Sequence, residues 1–516
     1  MTLNLKPVCV VTYNTYTYSL QPITLTGSGR TMKNGQPIMA LRQSTQKVSS
    51  TDLYDVASVK VQQDMGQGAD SFTLEFSNFL GKYTDFFTPF QEIEIRVGFP
   101  VDPNSIVKED LPLIMIGLID DAQPTYTQGE GWKIEVTGRN YASLLLEAKL
   151  TDTYHNMSSS AIVQDIIDEY GLGLQANITQ STINKQYQKV IRTSAQASNA
   201  MSGRVQAGAN ISVGAAAVIN KYANKVAETK GYIDDYLFRG HTAWSAIEKL
   251  AYYEGTNNPD FDGQEFVAYY TGKVFYFGPR MNIDTDPSTM VNIQVGASVE
   301  HYKFRISTDF LHTKVTLATR LKKNRQPTKK VDYVSAPDDL VLDVDATQQE
   351  LDGFAAAQQM FGIREVVLRD RDKIMGVDPV KAKWIAKAKL KEYSRLVYTG
   401  DLSIVFTADL GNSNVSKMTK DRGVAIYGVE AVGGQTVMGQ NSPQSRRYNG
   451  IFYIDKATHS YTKAGGYKID LSVSSRTPEM TKAIGETTID TQNQVIQKNG
   501  GKLTAAQLTE SKLKTN

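Results

Sequence analysis

Cysteine is almost absent. The 516 residues contain one, Cys9, so no disulfide can close within the chain, and its place in the apolar run VCVVTY suits a small buried thiol of a strand. No stretch approaches the ~18 consecutive apolar residues of a membrane helix. The first residues also lack the basic segment and apolar core of an export signal. A chain made and kept in a cytoplasm, without stable membrane insertion, is expected. Charge of one sign is missing too: 56 Lys and Arg stand against 54 Asp and Glu, a formal net charge of +2. No whole-chain field draws it toward nucleic acid or an anionic surface. Tryptophan is scarce at 3 whereas tyrosine reaches 27, a balance that suits strands and polar interfaces better than a helical bundle.

The motifs of catalysis are lacking as well. The five histidines, His155, His241, His301, His312 and His459, form no H-E-x-x-H and have no cysteine partners, so no metal ligands are expected. No G-x-x-x-x-G-K-[ST] is present, and Gly27–Arg30, GSGR, lacks the third glycine and following helix of a dinucleotide loop. No cofactor-binding residues are expected. There is no G-x-S-x-G elbow and no histidine near Cys9. The pairs Asp120-Asp121 and Asp234-Asp235 have the composition of solvated turns. No catalytic residue is expected, and the chain reads as a non-enzyme. The run Arg320 to Lys330 carries six basic residues in eleven; it could attract phosphate or form a solvated loop between strands. In KAKWIAKAKLKEYSRL, Trp384, Ile385, Ala388 and Leu390 can pack while the lysines stay in water, as in a docked amphipathic helix.

What is present is mostly strand, in a chain whose length suggests roughly three domains. In FTLEF, Phe72, Leu74 and Phe76 fall on one face and Thr73 and Glu75 on the other. EIEIRVG repeats the alternation with Ile93, Ile95 and Val97, and WKIEVTG with Trp132, Ile134 and Val136, so all three are expected to line a core. LPLIMIGLIDD is apolar on both faces, as in a strand covered on both sides. The first 150 residues therefore read as an antiparallel barrel with an N-terminal extension. Residues 151–285 read as a small α/β domain. Its helix SSSAIVQDIIDEYGL has serine caps and a Gly171 stop, and its helix HTAWSAIEKLAYYEG is capped by Thr242 and ends at Gly255. A tight turn follows at Thr271-Gly272-Lys273. An Ala-rich insertion near 186–230 reads equally as a helix or a mobile segment. Residues 286–480 return to strand as a second β-barrel, with a helical insertion near 340–396. Residues 481–516 form a polar tail.

The order of these segments resembles the late control protein D family, the hub proteins of phage tails, which includes the N-terminal part of the spike protein VgrG. In that pattern F-x-G-x-I-D precedes v-x-G-R-D and a short helix. Here Gly117, Ile119 and Asp120 match the first and Gly138 and Arg139 the second, with Asn140 in place of the acid. HTAWSAIEKLAYYEG, with Trp244, resembles the family's T-x-W-x-x-L-x-x-L-A helix. YNGIFYIDKATHSY fills the closing G-x-Y-x-I-x-x-v-x-H unit with Gly450, Tyr453, Ile454 and His459. The resemblance implies a mainly β fold with α+β parts and two tail-tube-like antiparallel barrels. It implies a structural virion protein, the baseplate hub of a contractile tail, assembled in the host cytoplasm. Its expected partners are two further copies in a homotrimer, the tail tube protein, the central spike and other baseplate proteins, with DNA passing transiently through the channel. No cofactor is implied. Gly117, Asp120, Gly138, Arg139, Trp244, Gly450 and His459 become structural motif residues. The rival readings are a tail-associated peptidoglycan hydrolase and a tail-tip carbohydrate-binding protein.

Overall fold

The computed structural model describes residues 6–25, 38–102, 105–129, 131–150, 153–172, 174–180, 233–238, 240–257, 266–280, 290–294, 299–307, 312–319, 322–323, 326–327, 332–335, 362–369, 386, 389–390, 397–406, 410–427 and 450–475. The Ala-rich insertion, the tail, and most of both the basic run and the helical insertion lie outside them. The fold is mainly β. Its first half comprises β1 (Val8–Leu25), β2 (Ile38–Leu53), β3 (Val56–Asp64), β4 (Ser71–Ser77), β5 (Glu92–Gly98), β6 (Leu113–Thr127) and β7 (Gly131–Arg139). Strict alternation makes β4 and β7 one-sided. Leu74 lies opposite Val136 and Phe76 opposite Ile134, all fully buried. Trp132 departs from the expectation. It shares their face but sits at the hairpin end, past the covering strands, where it is 60% exposed and rests on Tyr126 with ring centroids 4.9 Å apart.

The apolar run at the start of β6 has both faces covered because two cores meet there. Ile114, Met115 and Ile119 enter the core of the main sheet, while Ile116 and Leu118 enter a second core under the small α/β part. That part contains α1 (Ala142–Glu147), β8 (Lys149–Leu150), β9 (Thr153–Met157), α2 (Ser159–Tyr170), β10 (Ala176–Ile178), β11 (Ile233–Leu237), β12 (His241–Thr242), α3 (Ala243–Asn257), β13 (Phe266–Thr271) and β14 (Val274–Pro279). The Ser158 hydroxyl accepts from Ala161 N–H and the Thr242 hydroxyl from Ser245 N–H, satisfying donors that a helix start leaves orphaned. α3 runs two residues past Gly255, the stop expected from sequence. Gly272 turns the β13–β14 hairpin with φ +56°.

The second half holds β15 (Val291–Gln294), β16 (Val299–Ser307), β17 (Lys314–Thr319), β18 (Lys322–Lys323), β19 (Gln326–Pro327), β20 (Asp332–Ser335), β21 (Glu365–Arg369), β22 (Val397–Val405), α4 (Asn412–Val415), β23 (Gly423–Tyr427), β24 (Gly450–Thr462) and β25 (Gly466–Ser475). β20, β17 and β21 make a separate small sheet. The strands of both halves join in one 13-stranded sheet ordered β16-β22-β25-β24-β3-β4-β7-β6-β5-β1-β2, with β23 and β15 branching from β24. Neither half closes into a barrel among the described residues. The reason lies in β24, whose first residues pair with β23 and whose last, Lys456 to Thr462, pair with Asp64 to Ser58 of β3. One strand thereby belongs to both halves.

Candidate functional site

The two halves contain the same five-strand unit. Ile119–Val136, IDDAQPTYTQGEGWKIEV, and Ile454–Leu471, IDKATHSYTKAGGYKIDL, share eight of eighteen residues at a constant offset of 335 (454 less 119). The backbone follows the sequence. β6–β7 and β24–β25 pair in the same register, each with a bulge at the same point, between Ile119 and Asp121 and between Ile454 and Lys456. β3–β4 and β16–β22 also match, with bulges between Val56 and Ser58 and between Val299 and His301. Ahead of β5 and β23, Phe90 and Asp421 take left-handed φ of 64° and 60°. Each donates its N–H to the carbonyl before the bulge, on Ile119 and Ile454, at 2.8 Å. A bulge, once formed, aims the residue inside it out of the ladder. Here those residues are Asp120 and Asp455.

Both bulge carboxylates meet an arginine, from different places. Arg139 forks onto Asp120, Nε at 2.6 Å and Nη2 at 3.0 Å, and reaches Glu147 at 2.7 Å; these carboxylates raise its pKa. Asp455 instead receives Arg280, at 2.5 Å, from the end of β14, and Arg280 also meets buried Asp421 at 3.1 Å. Nearby, buried Lys420 donates to buried Asp70 at 2.7 Å, and Asn140 completes that carboxylate at 2.8 Å. Burial raises the Asp70 pKa even against the pull of Lys420. In the first half, Lys273 of the β13–β14 turn meets buried Glu92 at 2.7 Å, and Asn14 and Tyr141 donate to the same carboxylate. Burial pushes Glu92 up, but Lys273 and Tyr141 outweigh it and hold its pKa below the ordinary value. The small α/β part is therefore pinned to both halves by Lys273 and Arg280, each set on a buried carboxylate of the main sheet, Glu92 and Asp421.

The remaining motif residues are distributed through this framework. Gly117 and Gly138 lie under the Phe72 ring. A Cβ at Gly138 would stand 2.1 Å from the Leu118 carbonyl and 2.4 Å from Phe72. In the second half the exchange is reversed: Gly400 occupies the Phe72 position, Val473 the Gly138 position, and the Phe304 ring covers Gly400. Gly450 opens β24 opposite Ile426. Trp244 covers Gly68 and donates to Glu248 at 2.7 Å. His459 is fully buried. Its Nε2 donates to the Met418 carbonyl at 3.0 Å and its Nδ1 accepts from the Tyr467 hydroxyl at 2.7 Å, so the ring is neutral, its pKa pushed down to about 4 by burial. Among the described residues no group of His, Cys, Asp and Glu is placed to hold a metal, and no helix is long and apolar enough to cross a membrane.

What the arrangement offers is surface. Residues Asp121 to Thr127 of β6 repeat the segment of β24 that pairs with β3, yet among the described residues nothing pairs with them on the side away from β7. Phe79, Leu80, Tyr126 and Trp132 are exposed at that end of the half. Tyr461 and Tyr467, the counterparts of Tyr126 and Trp132, are buried. The repeated string marks the two hairpins as counterparts, but nothing in the local pattern marks the open edge, the exposed aromatics, Arg280 or Lys420.

No family model matches the chain, and no curated protein matches it in sequence. Solved structures do. A 43 kDa tail protein of prophage MuSo2 from Shewanella oneidensis is similar at 12% identity and TM-score 0.46, over 90% of this chain and 98% of that one. A tail protein from Neisseria meningitidis MC58 is similar at 10% identity and TM-score 0.45, over 89% and 96%. The E. coli c3393 protein, a component of the type VI secretion system, is similar at 8% identity and TM-score 0.37, over 83% and 77%.

Proposed function

We propose that the chain is a structural hub of a contractile phage tail or phage-like injection particle, a homotrimeric ring joining the tail tube to the central spike and lining part of the DNA channel. The duplicated five-strand unit carries this reading. One chain with two similar surfaces lets three chains present six, which matches a sixfold tube to a threefold spike. The motif order in the sequence supports the same assignment, with Gly117, Gly138, Gly450 and His459 as packing residues and Asp120 with Arg139 as a lock on the bulge of β6. The balanced charge suits a channel through which DNA must slide without being gripped. Light scattering coupled to gel filtration tests the ring: three chains of 57.1 kDa are expected at micromolar concentration. Electron micrographs of particles carrying a labelled copy should then place the label between tube and spike; a label at fibre tips, or clearing of a cell-wall substrate in a zymogram, overturns the assignment.

A further inference from the structure

We infer that Lys420, Asp70 and Asn140 form a self-cross-linking site, in which the Lys420 amine displaces ammonia from the Asn140 side-chain amide and leaves an isopeptide bond inside the chain. The bond forms whether or not copies assemble into a ring. All three side chains are buried. Asp70 stands just ahead of β4 and Asn140 just after β7, and the Asn140 N–H donates to the Asp70 carbonyl at 2.9 Å. Lys420 arrives from just ahead of β23, 280 positions beyond Asn140 (420 less 140). Its Nζ meets Asp70 Oδ1 at 2.7 Å, and Asn140 Nδ2 donates to Asp70 Oδ2 at 2.8 Å. One carboxylate thus touches both the amine and the amide. The amide has a settled orientation, because Asn140 Oδ1 accepts from the Ala142 N–H at 3.1 Å. The approach of Lys420 is settled by its neighbour Asp421, whose φ is 60°, whose N–H donates to the Ile454 carbonyl at 2.8 Å and whose carboxylate is held by Arg280.

The choice of lysine separates this cluster from an ordinary ion pair. Beside it Arg280 spans Asp421 and Asp455, as suits a forked guanidinium that is always charged. Lys420 makes one hydrogen bond among the described residues, to Asp70, and lies 5.9 Å from the Tyr269 ring. A buried pair of this kind gains little over apolar packing. What lysine has and arginine lacks is an amine that becomes a nucleophile once its proton is lost. Asp70 is placed to take that proton, and its burial, which raises its pKa, suits a carboxyl that holds one. The free amine then attacks Asn140 Cγ, and the carbonyl electron pair moves onto Oδ1, where the Ala142 N–H already donates. Asp70 passes its proton to Nδ2. The pair on Oδ1 returns, the Cγ–Nδ2 bond breaks, and the leaving nitrogen departs as ammonium with the second proton shed by the new amide nitrogen. Asp70 ends as the carboxylate it began as, and neither oxidant nor cofactor is consumed. Fixed proximity within a folded core supplies the drive that two free side chains lack.

Such a bond would fasten the end of β7 to the second half, which otherwise joins the first through the pairing of β24 with β3. Intact mass spectrometry of the full-length chain, unfolded in denaturant after purification, tests it. The parent is expected to weigh less than its sequence by one ammonia, and its tryptic digest to contain a branched peptide joining Lys420 to Asn140. Lys420→Arg keeps a cation on Asp70 without a nucleophile, and Asp70→Ala removes the proton carrier. Both are expected at full mass with no branched peptide. A parent at full mass after prolonged incubation of the folded chain reduces the cluster to an ion pair and overturns the inference. A loss of ammonia that persists in Lys420→Arg overturns it too, as the mark of a succinimide at an asparagine. A loss of water with Lys420 joined to Asp70 overturns the role of Asn140 as acyl donor.

Discussion

The hairpins β6–β7 and β24–β25 share sequence, register and bulge, yet one end is wet and the other dry. Tyr467 is 2% exposed and Trp132, its counterpart, 60%. The difference lies in what lies beside each hairpin. β3 runs alongside β24, Phe406 packs on Tyr467 and on Phe99, and His459 fills the gap behind. Beside β6 the described chain supplies nothing equivalent. Similar local sequence and the same register thus give unlike burial, because burial belongs to the assembly of strands and not to the strand.

The comparison breaks most visibly at its aromatic ends. Tyr467→Ala should cost the isolated chain about 4 kcal/mol, the scale for removing a large buried ring, while Trp132→Ala should cost under about 1 kcal/mol. Urea unfolding of both variants checks it, and equal losses would mean that Trp132 is covered within the monomer. Next comes His459, whose counterpart is Pro124. With a folded pKa of about 4 against 6.5 for the free side chain, the unfolded chain takes up the proton first as pH falls. The contribution of neutral His459 is therefore complete above pH 6.5 and lost toward pH 4, roughly 3 kcal/mol in all. His459→Gln should flatten the stability profile in that window. The smallest effect separates the two bulges: Asp120→Asn removes a partly exposed ion pair and should cost under about 1 kcal/mol, whereas Asp455→Asn weakens a clamp on buried Arg280 and should cost about 2 kcal/mol. Reversal of that order in thermal melts would show that the outer pair holds the fold.

Much of this was legible in the sequence. The alternation in FTLEF and EIEIRVG assigned core residues correctly, since a one-sided strand has no other way to hide Phe72, Phe76 or Ile95. The apolar run before Asp120 correctly announced a strand covered on both faces. Trp132 was misplaced because alternation specifies a face but not how far along the strand its cover extends. The end of α3 was misplaced because Gly255 only weakens a helix. The union of both halves in one sheet was not legible, since β3 and β24 carry no local mark of each other, and neither do Lys420 and Asp70, joined across 350 positions. The candidate interface lies between: its strands could be read, its openness could not.

The strand common to both halves has a consequence for how the molecule is made. β3 ends at residue 64 and the segment of β24 that completes it ends at residue 462, 398 positions later. At roughly 5–20 residues per second of synthesis, the outer backbone groups of β3 wait on the order of 20–80 seconds for their partner. Throughout that interval the first half is a nearly finished sheet with a bare edge. In a polysome, neighbouring nascent chains carry the same edge at the same moment, and a β24 released from one can dock on another. Final folding is therefore a long-range closure, slow because its loop entropy must be met before the ladder rewards it, and the correct product is the one in which each chain finds its own beginning.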